Sequence, residues 1–297
     1  MSTTKIREPF RDRMSLIVIK LMLAVVLVLV LMPLVYIVAN SFSSPPAVNA
    51  GRVSFWPVEF SLEAYRAALS NSEVLTGYYN SLIYAIAGTA ISVSLTVAIA
   101  YPLSRKTFFG RNVIMTVLIF TMLFSGGLIP TYMVVNNLGL LDTRWAMLLP
   151  GAIGVWQVII ARTFFANSIP DELYEAAMLD GASELRVLRS VVLPLSKPLL
   201  AVLALMYTVY QWNSYFDALV YLKDPDLFPL QIVLRNILIL NTPRGGAGDL
   251  AQSMHQIQLA NVLRYALIVI SSLPVLIIYP FVARYFTKGV MVGAVKG

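Results

Sequence analysis

Apolar residues in this chain come in long unbroken runs, and the polar residues are gathered into the segments between them. Six runs stand out, roughly 15–40, 78–104, 112–136, 146–167, 198–221 and 262–287. Each reaches or exceeds the ~20 mostly apolar residues that a helix needs to cross a bilayer. The hydrophobicity is continuous within each run rather than alternating, so membrane strands do not fit. Backbone in hydrocarbon must satisfy its own hydrogen bonds, which leaves helices. The pattern predicts an all-α integral membrane protein with six transmembrane helices. Pro33, Pro274 and Pro280 fall inside runs; in a membrane bundle, neighbouring groups can re-satisfy the freed carbonyls. The first run is longer than the ~7–15 apolar residues of a secretory signal core, and no clear small-x-small cleavage site follows it. It is expected to stay in place as a helix.

The segments between runs have their own signals. Residues 42–77 open on Pro45-Pro46, and Leu62–Leu69 has apolar residues at helical spacing, which predicts a short surface helix. Residues 222–261 contain a second such stretch, Pro229–Leu238, followed by Pro243-Arg244-Gly245-Gly246-Ala247-Gly248. Residues 168–197 form the longest polar segment on the other side. They divide the chain into an N-terminal segment 1–14, a membrane domain 15–287 that includes this loop, and a C-terminal tail 288–297. There is no internal repeat.

Charge orients the spans. Lys5, Arg7, Arg11 and Arg13 precede the first run; Arg105, Lys106 and Arg111 lie between the second and third. Arg186, Arg189 and Lys197 follow the fourth, and Arg284, Lys288 and Lys296 lie at the end. With six spans all of these fall on one side, and the positive-inside rule makes that side cytoplasmic, with both termini. The net charge of +7 in 297 residues is therefore the mark of a membrane protein. No basic cluster interleaved with aromatics points to nucleic acid. Only 12% of the chain is charged and 58% is hydrophobic, against about 25% charged in a soluble domain.

Within 168–197, Ser168 is placed to cap a helix that has Pro170 in its first turn and Asp171 and Glu172 near its positive end. Leu173, Ala176 and Ala177 share a face at i, i+3, i+4. Small alanines allow close approach of another surface, while Glu175 and Asp180 offer charge to Lys or Arg. Gly181 is expected to end this helix in the left-handed conformation. Ser183 and Glu184 start a second helix with Val187, Leu188 and Val191 on its apolar face, and Leu193-Pro194 and Pro198 mark the return to the membrane. By itself the segment reads equally as a helical hairpin that connects two spans.

The run Glu175-Ala176-Ala177 with Asp180-Gly181-Ala182 and then Leu193-Pro194 resembles the Glu-Ala-Ala loop of the permease subunits of binding-protein-dependent ABC importers. Further stretches carry the resemblance across nearly the whole chain: Asn80-Ser81-Leu82, Leu138-Gly139-Leu140-Leu141-Asp142-Thr143, Arg162-Thr163-Phe164-Phe165 and Trp212-Asn213. They are similar to the carbohydrate-uptake branch that includes the second maltose permease. The C-terminal Lys288–Gly297 looks closer to permeases for complex oligosaccharides, including uronate-containing ones. The resemblance implies the ABC importer permease fold in a bacterial inner membrane. Its implied partners are a second permease subunit, an ATPase dimer on the cytoplasmic side and an extracytoplasmic solute-binding protein. Residues 175–177 and 180–182 would couple to the ATPase, and the tail would reach the ATPase interface. Arg244, Gly245 and Gly246 would lie where the binding protein docks; a flexible linker is the other reading of that loop.

Chemistry that the chain lacks narrows the function. No G-x-x-x-x-G-K-[ST] phosphate loop occurs, so the chain is expected to be a transport subunit and not an enzyme. It would bind no cofactor itself, with ATP and Mg²⁺ held by the partner ATPase. There is no cysteine, and the single histidine, His255, is placed in a polar loop with a solvated or capping role; neither a metal site nor a Ser-His-Asp arrangement is expected. The segment Tyr210–Asp217 is the candidate substrate path, with Gln211, Trp212, Asn213, Tyr215 and Asp217 offering the polar and aromatic surfaces that a sugar needs. An acid in apolar surroundings is a functional candidate by default. The other reading places Asp217 at the outer surface, with Trp212 and Tyr215 as interfacial anchors. Tyr132, Trp156 and Gln157 are secondary candidates, and Gly126, Gly127, Gly151 and Gly154 are expected to serve helix packing. The alternative function is a secondary transporter driven by an ion gradient. That mechanism calls for acids, histidines or broken helices at the membrane midplane, and spans one to four hold few such groups.

Overall fold

The computed structural model describes residues 10–237 and 250–293. Among these, every named element is helical; an isolated antiparallel bridge joins Ser43 and Phe60. In chain order the α-helices are α1 (Phe10–Ser41), α2 (Pro45–Asn49), α3 (Glu63–Ser70), α4 (Ser72–Ser104), α5 (Arg111–Leu123), α6 (Leu128–Asn137), α7 (Trp145–Leu148) and α8 (Val155–Ser168). They continue as α9 (Asp171–Leu179), α10 (Glu184–Val187), α11 (Leu193–Leu195), α12 (Lys197–Trp212), α13 (Phe216–Tyr221), α14 (Leu230–Arg235) and α15 (Leu250–Gly293). A π-helical turn, Leu188–Val192, joins α10 to α11, and a 3-10 turn, Pro225–Leu227, precedes α14.

Among the described residues, three helices are long and apolar enough to cross a membrane: Met14–Ser41, Ser72–Ser104 and Gln258–Pro280. The count rises to five if each of two bent pairs is one span. The first expected span is therefore met almost to the residue. The third is not straight: α5 and α6 meet at 114°. The cause is Gly127, whose φ of +83° is open to glycine and strained for other residues. A Cβ on Gly127 would meet nothing within 4 Å, so this glycine serves the bend and not the close helix packing expected of it.

The fourth expected span is also interrupted. α7 ends at Leu148 and α8 begins only at Val155, because Pro150 has no N–H to continue a helix and Gly151 follows. The last helix starts at Leu250 rather than near 262, so His255 lies on a helix and not in a polar loop. Its helical backbone continues to Gly293, taking in the first part of the expected tail.

The chain divides into two compact units. One comprises Met1–Ser70 and Asn241–Ser271. Its α3 confirms the short helix expected near Leu62, and Ala64 packs with Val262 and Ala266. Asn49 donates to the Gln258 carbonyl (3.1 Å) and accepts from the Asn261 amide (2.7 Å).

The other unit, Asn71–Leu240 and Ser272–Gly297, is organised on α4. Asn71 caps this helix by accepting from the N–H groups of Glu73 and Val74. Its buried face is a stripe of small and hydroxylated residues at three- and four-residue spacing, including Gly77, Ser81, Gly88, Ser92 and Thr96. Such a stripe permits close approach where lipid supplies no hydrophobic drive. α12 takes that place. Thr89 bonds Thr208 (3.0 Å), and Thr96 bonds the Tyr207 hydroxyl (2.6 Å). The same hydroxyl accepts the Gly154 N–H at the start of α8 (3.2 Å), so one tyrosine ties three helices. The glycines expected to pack helices do so here. A Cβ on Gly151 would lie 2.9 Å from the Tyr210 hydroxyl, and one on Gly154 would come within 3.3 Å of the Tyr207 hydroxyl as well as striking Gln157.

Candidate functional site: the Glu-Ala-Ala loop and the ends of α4

The loop 170–196 is built as a helical hairpin on one end of α4. Its first helix, α9, starts after Pro170, and Asp171 and Glu172 in its first turn complement the helix dipole. Ser168 does not cap it: α8 runs through Ser168, and the N-cap position is Pro170 with no side-chain hydrogen bond. Gly181 does end it, at φ +72° with nothing within 4 Å of its Cβ position. The N–H groups of Gly181 and Ala182 return to the carbonyls of Met178 and Ala177, the closing pattern of a left-handed helix end. Ser183 and Glu184 open the second helix as expected.

Of the face expected to meet another surface, Leu173 and Ala176 are exposed, and Ala177 is turned partly inward. Tyr174 is the buried residue of α9, at 3% exposure, and Ala177 packs half-buried against the same core. Tyr174 and Ala177, an i, i+3 pair, make the inward face, for which the spacing of the alanines gives no signal. The core below it holds Tyr101, Phe165, Val187, Val192 and Leu203. Tyr101 and Phe165 meet edge to face at 6.5 Å, and the Tyr101 hydroxyl donates to Glu184 at 2.7 Å. The Arg105 guanidinium lies 3.4 Å above the Tyr174 ring, within cation–π range. Burial raises the Tyr174 phenol pKa, and Arg105 acts against that rise. Lys106 pairs with Asp171 at 2.7 Å on the surface and lowers the Asp171 carboxyl pKa.

What faces outward is an apolar tip ringed by acids. Leu179 is 88% exposed, with Met178, Leu173 and Leu185 also exposed. Glu172, Glu175 and Asp180 surround them, all exposed and outside any ion pair among the described residues. Of the six expected coupling residues, Glu175, Ala176, Asp180 and Gly181 lie on this outer surface; Ala177 and Ala182 are half-buried beneath it.

The other end of α4 binds the segment 222–230. Asn80 donates to the carbonyls of Asp226 (2.7 Å) and Phe228 (3.2 Å) and accepts from Arg144 (3.3 Å). Ser81 accepts the Leu230 N–H and Tyr84 donates to the Leu227 carbonyl, each at 2.8 Å. Asp142, at φ +57°, accepts the N–H groups of Lys223 and Asp224, both at 2.8 Å. These bonds account for two of the stretches that carry the family resemblance.

The expected path residues fall in several surroundings. Gln211 and Trp212 are buried in helix packing, at 1% and 2% exposure. Gln211 lies against Gly88 with its amide unpartnered, and Trp212 meets Tyr78 edge to face at 5.5 Å. Asn213 is exposed and donates back to the Val209 carbonyl. Tyr215 is half-buried against the cluster that holds Tyr84 and Leu148, and Asp217 accepts the Tyr210 hydroxyl at 3.1 Å. Of the secondary candidates, Trp156 is exposed, and Tyr132 stacks with Tyr221. Arg244, Gly245 and Gly246 lie outside the described residues.

No protein-family model matches the chain. Individual proteins do. It is 42% identical over 267 residues to protein LplC of Bacillus subtilis, covering 90% of both chains. It is 40% identical over 278 residues to YtcP of the same organism, a polygalacturonan/rhamnogalacturonan transport system permease protein, covering 93% of this chain and 95% of that one. The chain belongs to the ABC transporter permease family that includes these sugar and oligosaccharide permeases. The arabinooligosaccharide permease AraQ of Halalkalibacterium halodurans is 32% identical over three quarters of this permease. Among solved structures, a bacterial ABC transporter involved in the import of the acidic polysaccharide alginate contains a chain that superposes with a TM-score of 0.86 at 34% identity. It covers 95% of this permease and all of that chain. The permease therefore shares the fold of that ABC importer chain.

Proposed function

We propose that this permease is the membrane-spanning subunit of an ATP-driven importer that takes up an oligosaccharide delivered by a solute-binding protein. A second permease subunit completes the pathway. An ATPase dimer docks on the Glu-Ala-Ala loop, with both termini of the permease on the same cytoplasmic side. The six crossings consist of α1, α4, the bent α5–α6, α7 with α8, α12 with α13, and α15. Uronate-containing oligosaccharides are the favoured substrate class, because the relatives named for polygalacturonan and alginate handle acidic polymers.

The observation that supports coupling most directly is the protruding Leu179. A leucine left 88% exposed beside three unpaired acids, on a loop braced from beneath by Tyr174 and Tyr101, is a shape made for a partner with an apolar socket and a basic rim. Burying a leucine gives about 1.5–3 kcal/mol, and an aspartate there reverses that gain. In the reconstituted complex, Leu179→Asp is expected to lower ATPase activity stimulated by the loaded binding protein at least about tenfold, a loss of about 1.4 kcal/mol or more. The permease should still insert. Full stimulation with Leu179→Asp would remove the loop from the coupling role, and stimulation by neutral but not uronate oligosaccharides would remove the substrate class.

A further inference from the structure

A cavity of about 370 Å³ opens where the ends of α4 and α8 meet the start of α5 and α9. Its charged lining is Arg105, Lys106, Arg111, Arg162 and Asp171: four cations against one acid. The acid is already engaged by Lys106. Arg105, Arg111 and Arg162 belong to no ion pair among the described residues. Their geometry is nonetheless fixed. Arg111 donates to the Arg105 carbonyl, Arg162 donates to the Leu103 carbonyl, and Arg105 lies flat on the Tyr174 ring.

The Tyr174 hydroxyl and Nε of Arg105 are both buried in this lining, and neither makes a well-aligned hydrogen bond to a residue other than the other. The three guanidinium groups of this lining are a donor set matched to phosphate oxygens.

The source of the phosphate follows from the surroundings. An adjoining groove shares Lys106 and Arg111 and is lined by Phe108 and Phe109, with Phe109 98% exposed. Beyond it α5 has Val113, Val117 and Phe120 exposed, an apolar face suited to acyl chains. The two phenylalanines add apolar surface for acyl chains next to the cations, and basic pockets between spans on the cytoplasmic side suit anionic headgroups.

We propose that this cleft binds the phosphate of an anionic phospholipid, which tethers the base of α9 to the bilayer. The assignment rests on the membrane placement in the reading above and not on transport, so it is tested without substrate or ATP. The full chain, purified in mild detergent, is titrated with phosphatidylglycerol and with phosphatidylcholine, and bound lipid is counted by native mass spectrometry. The expected result is one phosphatidylglycerol retained with at least about a tenfold preference. Arg111→Gln with Arg162→Gln should abolish the preference, while Arg111→Lys with Arg162→Lys keeps part of it and controls for folding. Substituting Arg66, remote in sequence and in the other unit, should change nothing.

Equal retention of the two lipids, or wild-type preference in the glutamine variant, overturns the proposal. Displacement of the lipid by millimolar inorganic phosphate overturns the lipid source and leaves a soluble-phosphate site. A glutamine variant that keeps the lipid but no longer co-purifies with an ATPase overturns it in favour of protein docking.

Discussion

The two ends of α4 are joined to the rest of the protein in opposite ways. At the Asn80 end the links are hydrogen bonds to backbone. Asn80, Ser81 and Tyr84 bond the main chain of 226–230, and Asp142 bonds that of 223–224. Backbone groups cannot change identity or rotate away, so this end fixes one arrangement of its loop. At the Tyr101 end the links are mostly ring contacts, one hydroxyl–carboxylate bond and a surface ion pair, with a single long bond from Arg162 to the Leu103 carbonyl. There Ser196 keeps a buried hydroxyl without a partner, and the buried Tyr174 hydroxyl and Arg105 Nε have no partner beyond each other. A saturated end resists rearrangement, and an end with open polar groups and exposed leucines is completed by something outside the chain. The contrast fits a subunit whose coupling loop is finished by its partner, while the opposite end is finished by itself.

Three changes break or sharpen that contrast. The largest effect is expected from Gly181→Val, which forces a β-branched residue into φ +72° at a cost of about 1–3 kcal/mol. That cost falls on the aim of α9 and not on membrane insertion. Substrate-stimulated ATPase activity should collapse while thermal unfolding in detergent shifts little; normal uptake by this variant would show that the loop tolerates a new geometry. Next comes Asn80→Ala, which leaves the carbonyls of Asp226 and Phe228 without this partner. Here stability should fall, by about 1–3 kcal/mol, with faster hydrogen exchange at 227–232 and retained coupling in the protein that remains folded. Unaltered exchange there would mean that the latch does not hold the loop.

The smallest effect concerns Asp142. Two backbone N–H groups hold its carboxyl pKa below the ordinary value. A lowered folded pKa makes the stabilising contribution complete above the unfolded pKa of about 3.9 and lost as pH falls through the folded value. Amide protection at Lys223 and Asp224 should therefore hold at neutral pH and decline only below about pH 4. Asp142→Asn, which tolerates the left-handed backbone, should remove this pH dependence. A protection profile that stays flat to lower pH in the unsubstituted protein would deny the carboxylate its role.

Hydropathy and charge made much of this legible beforehand. The run 15–40 became the window Met14–Ser41, and Gly181 ended α9 as its neighbours implied. The bend at Gly127 was hidden because the residues on both sides are apolar, and hydropathy has no term for the sign of φ. The break at Pro150-Gly151 was hidden in the same way inside a continuous apolar run. Asn80 was visible only as part of a familiar stretch. Its partners lie 146 and 148 residues away, beyond the reach of any local spacing rule. Tyr174 was masked by the alanines beside it, since a small-residue face draws attention away from the aromatic that anchors it.

The first helix has a consequence for how the protein is made. None of the apolar window within Met14–Ser41 is buried, so nothing in the rest of the chain is required to shelter it. Valine and leucine at mid-helix each favour partitioning by about 0.3–0.6 kcal/mol, and this segment holds many of both. It can leave the translocon and reside in lipid while the ribosome is still synthesising α4, the helix that organises the other unit.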